Sequence, residues 1–156
     1  MRKSSKKTLI VVLINSIVFT IGCTKKVDVS VEDIESNIIN NINIDNLEKG
    51  NQKALRRLYG ISQDDLEEFA LYIPKSNMDV DEILILKVKN KEKIYDIEEK
   101  IEDRVERQIK NFDGYGREQV GLLNDYEIKI KDKYILFSVS DKSEDIKELF
   151  IKSIKQ

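Results

Sequence analysis

Six apolar residues between Ile94 and Phe112, namely Ile94, Ile97, Ile101, Val105, Ile109 and Phe112, recur at intervals of three or four and form one stripe along a helix. Glu98, Glu99, Lys100, Glu102, Asp103, Arg104, Glu106 and Arg107 largely cover the rest of its surface. A helix with one apolar stripe has one surface to bury. The fold must therefore supply a second apolar layer. Asn90 is positioned to cap this helix, and Asp113-Gly114-Tyr115-Gly116 closes it as a flexible loop.

Strand-like runs lie on both sides of the stripe. Phe69 to Ile73 alternates large residues and stops at Pro74, while Ile83 to Val88 is β-branched and nearly continuous, the pattern of a central strand. The residues between Pro74 and Val80 suit a hairpin loop. Further on, Tyr126, Ile128 and Ile130 alternate, Asp132 makes a tight turn, and Tyr134 to Val139 returns as a strand. Asp141 to Glu144 then caps a last helix that carries Ile146, Leu149, Phe150 and Ile154 on its inner face.

Two helices precede the first strand. One is capped at Ser30 and carries Val31, Ile34, Ile38 and Ile42; the other runs from Asn46 to Tyr59 with Leu47, Ala54, Leu55 and Leu58 on one side, and Gly60 ends it. The order hairpin, helix, hairpin, helix predicts an α+β fold: a four-stranded antiparallel sheet with helices packed on one face, preceded by N-terminal helices. No shift in Pro, Gly or Ser content marks an internal boundary, so residues 31–156 read as a single domain.

The first 22 residues read differently. A basic start (Arg2, Lys3, Lys6, Lys7) leads into the apolar run Leu9 to Ile21, thirteen residues interrupted by Asn15 and Ser16. A membrane-crossing helix needs about 20 apolar residues, whereas this length matches the core of a secretory signal. Thr20-Ile21-Gly22-Cys23 resembles the lipobox of bacterial lipoproteins, with Thr20 where a leucine is usual. That resemblance implies signal cleavage between Gly22 and Cys23 and acylation of Cys23 by palmitate-type chains, with residues 23–30 as a lipidated tether. Two acyl chains are what stable anchoring requires.

Removing residues 1–22 takes away four of the 27 basic residues and none of the 29 acidic ones, leaving 23 against 29 and a formal charge of −6. An acidic body disfavours nucleic acid as a partner and points to lipid, not a polybasic patch, as the anchor. Cys23 is the single cysteine, so no disulfide contributes to stability. The chain has no histidine either, and with Cys23 acylated it lacks the commonest general base, zinc ligands and thiol nucleophile. No cofactor motif and no metal site are expected, and the domain is expected to be a monomer.

Leu55 to Ile61, Tyr72 to Ile83 and Phe112-Asp-Gly-Tyr-Gly116 together resemble an uncharacterised family of small lipoproteins from low-GC Gram-positive anaerobes, described as a domain of unknown function. The resemblance spans Leu47 to Ile154. It implies display outside the cytoplasmic membrane and brings no activity, cofactor or ligand with it.

Three places are candidate contact sites. Asp79, Asp81 and Glu82 are the densest carboxylate cluster; they lack the glycine and distal glutamate of a calcium loop, and a solvated hairpin end is the alternative. Lys49, Lys53, Arg56 and Arg57 form a basic stripe able to dock phosphates or carboxylates, or to be a solvated helix face. The loop from Phe112 to Glu118 sets Tyr115 and Arg117 among glycines, either to fold over a ligand or to stop the helix with Tyr115 tucked onto the sheet. The favoured reading is a binding or protein-interaction domain contacting an envelope protein or glycan. The alternative is an envelope hydrolase working through Asp79, Asp81 or Glu82.

Overall fold

A computed structural model describes residues 28–155, so Gly22 and Cys23 lie outside the described residues. The elements run α1 (Val31–Ile39), β1 (Leu47–Lys49), α2 (Gln52–Tyr59), β2 (Leu66–Pro74), β3 (Glu82–Val88), α3 (Ile94–Phe112), α4 (Arg117–Asn124), β4 (Glu127–Lys131), β5 (Tyr134–Val139) and α5 (Ser143–Ile154). The sheet has five strands in the order β1-β2-β3-β5-β4, with every neighbouring pair antiparallel.

The class is α+β as expected, but two features of the expectation are corrected. The sheet has a fifth strand because Leu47–Lys49 pairs with β2, setting Leu47 opposite Pro74 and Lys49 opposite Tyr72. Leu47 therefore packs with α1 and α5, on the opposite side of the sheet from Ala54 and Leu55. Asn51 marks the true start of α2, its side chain accepting from the Ala54 N–H at 3.1 Å. Gly60 closes that helix as expected, at φ +67°, with its N–H on the Arg56 carbonyl.

Helices also cover both faces, not one. Every residue of β3 and β5 is buried, which a sheet open to water on one side does not allow. Period two sorts the strand residues. Leu84, Leu86, Val88, Ile135 and Phe137 face α2, α3 and α4, whereas Ile83, Ile85, Tyr134 and Leu136 face α1 and α5. The continuous apolar run of β3 in the sequence is the signature of this two-sided burial. At the outer hairpin, Asp132 adopts the left-handed conformation (φ 55°) that its tight turn requires.

The chain enters the fold through a cluster of charges. Lys87, facing the α1 side of β3 with its side chain 5% exposed, bonds Glu68 at 2.8 Å and Asp28 at 3.1 Å. Burial opposes the charge on Lys87, and the Glu68 and Asp28 carboxylates outweigh it, raising the pKa above its ordinary value. Asp28 in turn is held down to about 2 by Lys133 and Lys87. Tyr134 donates to the Val29 carbonyl at 2.7 Å and Glu68 accepts from the Val31 N–H at 2.7 Å, so the segment ahead of α1 is tied to the sheet.

A cleft between the first hairpin and the third helix

The loop joining β2 to β3, the end of α2 and the second half of α3 enclose a cleft of about 310 Å³. Arg57 comes from α2, Asn77 and Asp79 from the hairpin, Arg104 and Gln108 from α3, and Tyr115 from the loop after it. Three residues nominated separately in the sequence, Arg57, Asp79 and Tyr115, thus share one wall system. Arg56 is exposed outside it, and Arg117 is not in a loop but opens α4, also outside the lining. α4 is hard to read from sequence because its eight residues carry only Val120, Leu122 and Leu123 as large apolar side chains.

Tyr115 is placed by two local devices. Phe112 is buried at the end of α3, and its ring lies 5.7 Å from the Tyr115 ring at an interplanar angle of 36°. Gly116 allows that approach, since a Cβ there would stand 2.6 Å from Phe112 Cδ1. One side of Tyr115 thus rests on Phe112 while the residue stays 65% exposed, rather than being tucked onto the sheet.

Glu82 parts company with the other two carboxylates. Its side chain follows the period-two alternation under the helix layer, is 2% exposed, and accepts from the Tyr59 hydroxyl and from Arg104 Nη2, the latter at 3.1 Å. Burial pushes Glu82 up, with Arg104 and Tyr59 pulling against it. The same burial raises the Tyr59 hydroxyl, helped by the charge on Glu82. Glu82 is therefore a buried support whose partner Arg104 faces the cleft.

Asp79 and Asp81 stay together at the hairpin and hydrogen-bond one another. Burial and the Asp79 carboxylate push Asp81 up to about 6. Burial also works on Asp79, but its bonds to Asp81, Asn46 and the Val80 N–H hold it below the ordinary carboxylate range. Only Asp79 of this pair lines the cleft.

The basic stripe is rearranged into a second depression. Lys49 belongs to β1, Lys53 and Arg57 to α2, and the three line a groove of about 460 Å³ that shares Arg57 and Ile73 with the cleft. Lys49 is committed to Glu35 on α1, which also accepts from Tyr72 at 2.5 Å. Arg57 and Lys53 form no ion pair among the described residues. A larger and shallower groove of about 840 Å³ lies across the sheet between the end of α1 and α5, lined by Ile42, Leu149 and Ile151 with a charged rim. Among the described residues no group of three acidic, histidine or cysteine side chains is set to hold a metal, and no helix is long and apolar enough to cross a membrane.

Residues 40–140, which hold the whole sheet and every residue of the cleft, match the family model described as Domain of unknown function (DUF4358). The chain belongs to that family. No curated protein and no solved structure matches it. The DUF4358 match covers the sheet and the α2, α3 and α4 side, whereas α1 and α5 fall outside it. The cleft is thus built entirely from the family's own segment.

Proposed function

We propose that this DUF4358 protein is a lipid-anchored, non-catalytic binding domain of the cell envelope, acylated on Cys23 and acting as a monomer, with an envelope glycan or protein as its partner and not nucleic acid. The observation that carries the binding reading is the convergence of the β2–β3 hairpin and the Phe112 to Gly116 loop on one cleft with an exposed tyrosine and an arginine that forms no ion pair among the described residues. The anchoring half of the proposal rests on the signal-like residues 1–22 and on Cys23. From Cys23 to the tied residue Asp28 the chain spans five residues, about 17 Å when extended, so the domain works next to the bilayer.

Affinity capture of the lipidated protein from detergent-solubilised native envelope tests the binding reading. A component bound by the wild type and by a Lys152→Gln control, and lost from the Arg57→Gln/Tyr115→Ala double variant, supports it. Identical capture by all three proteins contradicts it.

The hydrolase reading keeps one observation in its favour. Asp79 and Asp81 are neighbouring carboxyls whose pKa values are driven in opposite directions, the arrangement that separates an acid from a base. Glu82 no longer belongs with them, because it is buried beneath Arg104. Turnover of envelope material that disappears in Asp79→Ala and Asp81→Ala with unchanged stability would favour this second reading.

A further inference from the structure

The cleft and the adjoining groove differ from an apolar ligand site in how many polar side chains they leave uncommitted. Asn77, Gln108 and Asn111 make no side-chain hydrogen bond among the described residues and all face the cleft. An apolar ligand would cover these amides without replacing their water, at a cost for each. Each amide offers two donors and an acceptor, the pairing that vicinal hydroxyls use. Tyr115 adds a flat, exposed ring whose electron-rich face attracts polarised C–H edges.

The charges point to an anion. Arg57 stands where cleft and groove meet, and Lys53 lies beside it. Two neighbouring negative charges are paired with cations, Glu82 with Arg104 and Glu35 with Lys49. Asp79 in the cleft, hydrogen-bonded to Asn46, the Val80 N–H and Asp81, and Glu48 in the groove are the acids that stand against Lys53 and Arg57. Arg104 spends one of its donors on Glu82, and its Nε is buried with no hydrogen-bond partner among the described residues.

We propose that the site takes an acidic saccharide, with a sugar ring against Tyr115, its hydroxyls on the amides of Asn77, Gln108 and Asn111, and its carboxylate or phosphate on Arg57 and Lys53. A planar guanidinium holds either anion through paired N–H bonds. A volume of about 310 Å³ suits about one or two sugar rings, and the groove past Arg57 lets a longer chain continue. This inference rests on the cleft being the binding site, and adds the chemistry of what fills it.

Calorimetric titration of the purified mature lipidated protein with four probes tests it: glucuronic acid, glucose 6-phosphate, glucose and inorganic phosphate. At least one of the two acidic sugars should bind tenfold or more tighter than both glucose and phosphate, and the tighter one identifies the anion. Arg57→Gln should reduce that sugar to the affinity of glucose, and Tyr115→Ala should weaken both sugars about tenfold while leaving phosphate unchanged. Both substitutions are at exposed positions, so folding is retained. Glucose equal to the acidic sugars, phosphate equal to glucose 6-phosphate, binding that ignores both substitutions, or no binding of any probe overturns the proposal. In the last case capture of an envelope component through the same cleft would still stand, which separates an error in ligand class from an error in the site.

Discussion

The carboxylate of Glu82 accepts a hydrogen bond from Arg104 at 3.1 Å, and through that contact the centre of the sheet holds one wall of the cleft. The pair lies between β3 and α3, with the Tyr59 hydroxyl as a third member. A buried ion pair contributes little net stability when complete and costs much when one partner is removed.

Glu82→Gln should therefore destabilise the protein by about 3 kcal/mol in denaturant unfolding, because it leaves the Arg104 charge unpaired at a largely covered site. The double change Glu82→Met/Arg104→Met should recover most of that loss, since apolar side chains of similar volume replace such pairs at little cost. A double variant as unstable as the single one would show that the pair does more than compensate its own burial.

Asp81 gives the domain a pH dependence. Its pKa is raised from 3.8 to about 6 on folding, so the folded protein retains a proton that the unfolded chain loses. The associated stability is present below pH 4 and is lost as pH rises through 6. Because Asp81 is only half buried, solvent screening reduces the effect to roughly 1 kcal/mol. Asp81→Asn, neutral at every pH, should flatten the melting temperature between pH 4 and 7 and raise it at pH 7. A wild-type profile that is already flat would contradict the shared proton.

Gly116→Ala should act on the cleft without touching a ligand. The added methyl meets Phe112 Cδ1 and must move a buried ring, costing about 1 to 3 kcal/mol by thermal unfolding. The Tyr115 ring, resting on Phe112, should shift with it and weaken ligand capture. Unchanged capture would separate Tyr115 from its Phe112 support.

How far the sequence could be read depended on whether a pattern was local. The α3 stripe and the αL glycine at Gly60 are written in adjacent turns, and both are found where expected. β1 reads as the start of a helix because Leu47, Ala54, Leu55 and Leu58 fit a helical period; only Gly50-Asn51 betrays the break, and the β2 partners lie 23 to 27 residues away in sequence. Two-sided burial was legible in the unbroken run of β3, yet the order of elements alone suggested helices on one face. Arg57, Asp79 and Tyr115 were each visible as candidates, but their convergence depends on how α2, the hairpin and α3 pack. The link from Glu82 to Tyr59 and Arg104 had no signal at all, since a glutamate beside two aspartates looks solvated.

Cys23→Ser should leave the precursor uncleaved and without metabolic fatty-acid label, whereas the wild type is cleaved before Cys23 and labelled. Normal cleavage without label would show that Cys23 carries no lipid anchor.

The most direct measurement replaces Tyr115 with a photo-crosslinking residue in the lipidated protein within its native envelope, with the same residue at Lys152 in the groove across the sheet as the control. The expected result is an envelope adduct at position 115 that is absent or much weaker at position 152. No adduct at 115, or equal adducts at both positions, would contradict the assignment of the cleft as the binding site.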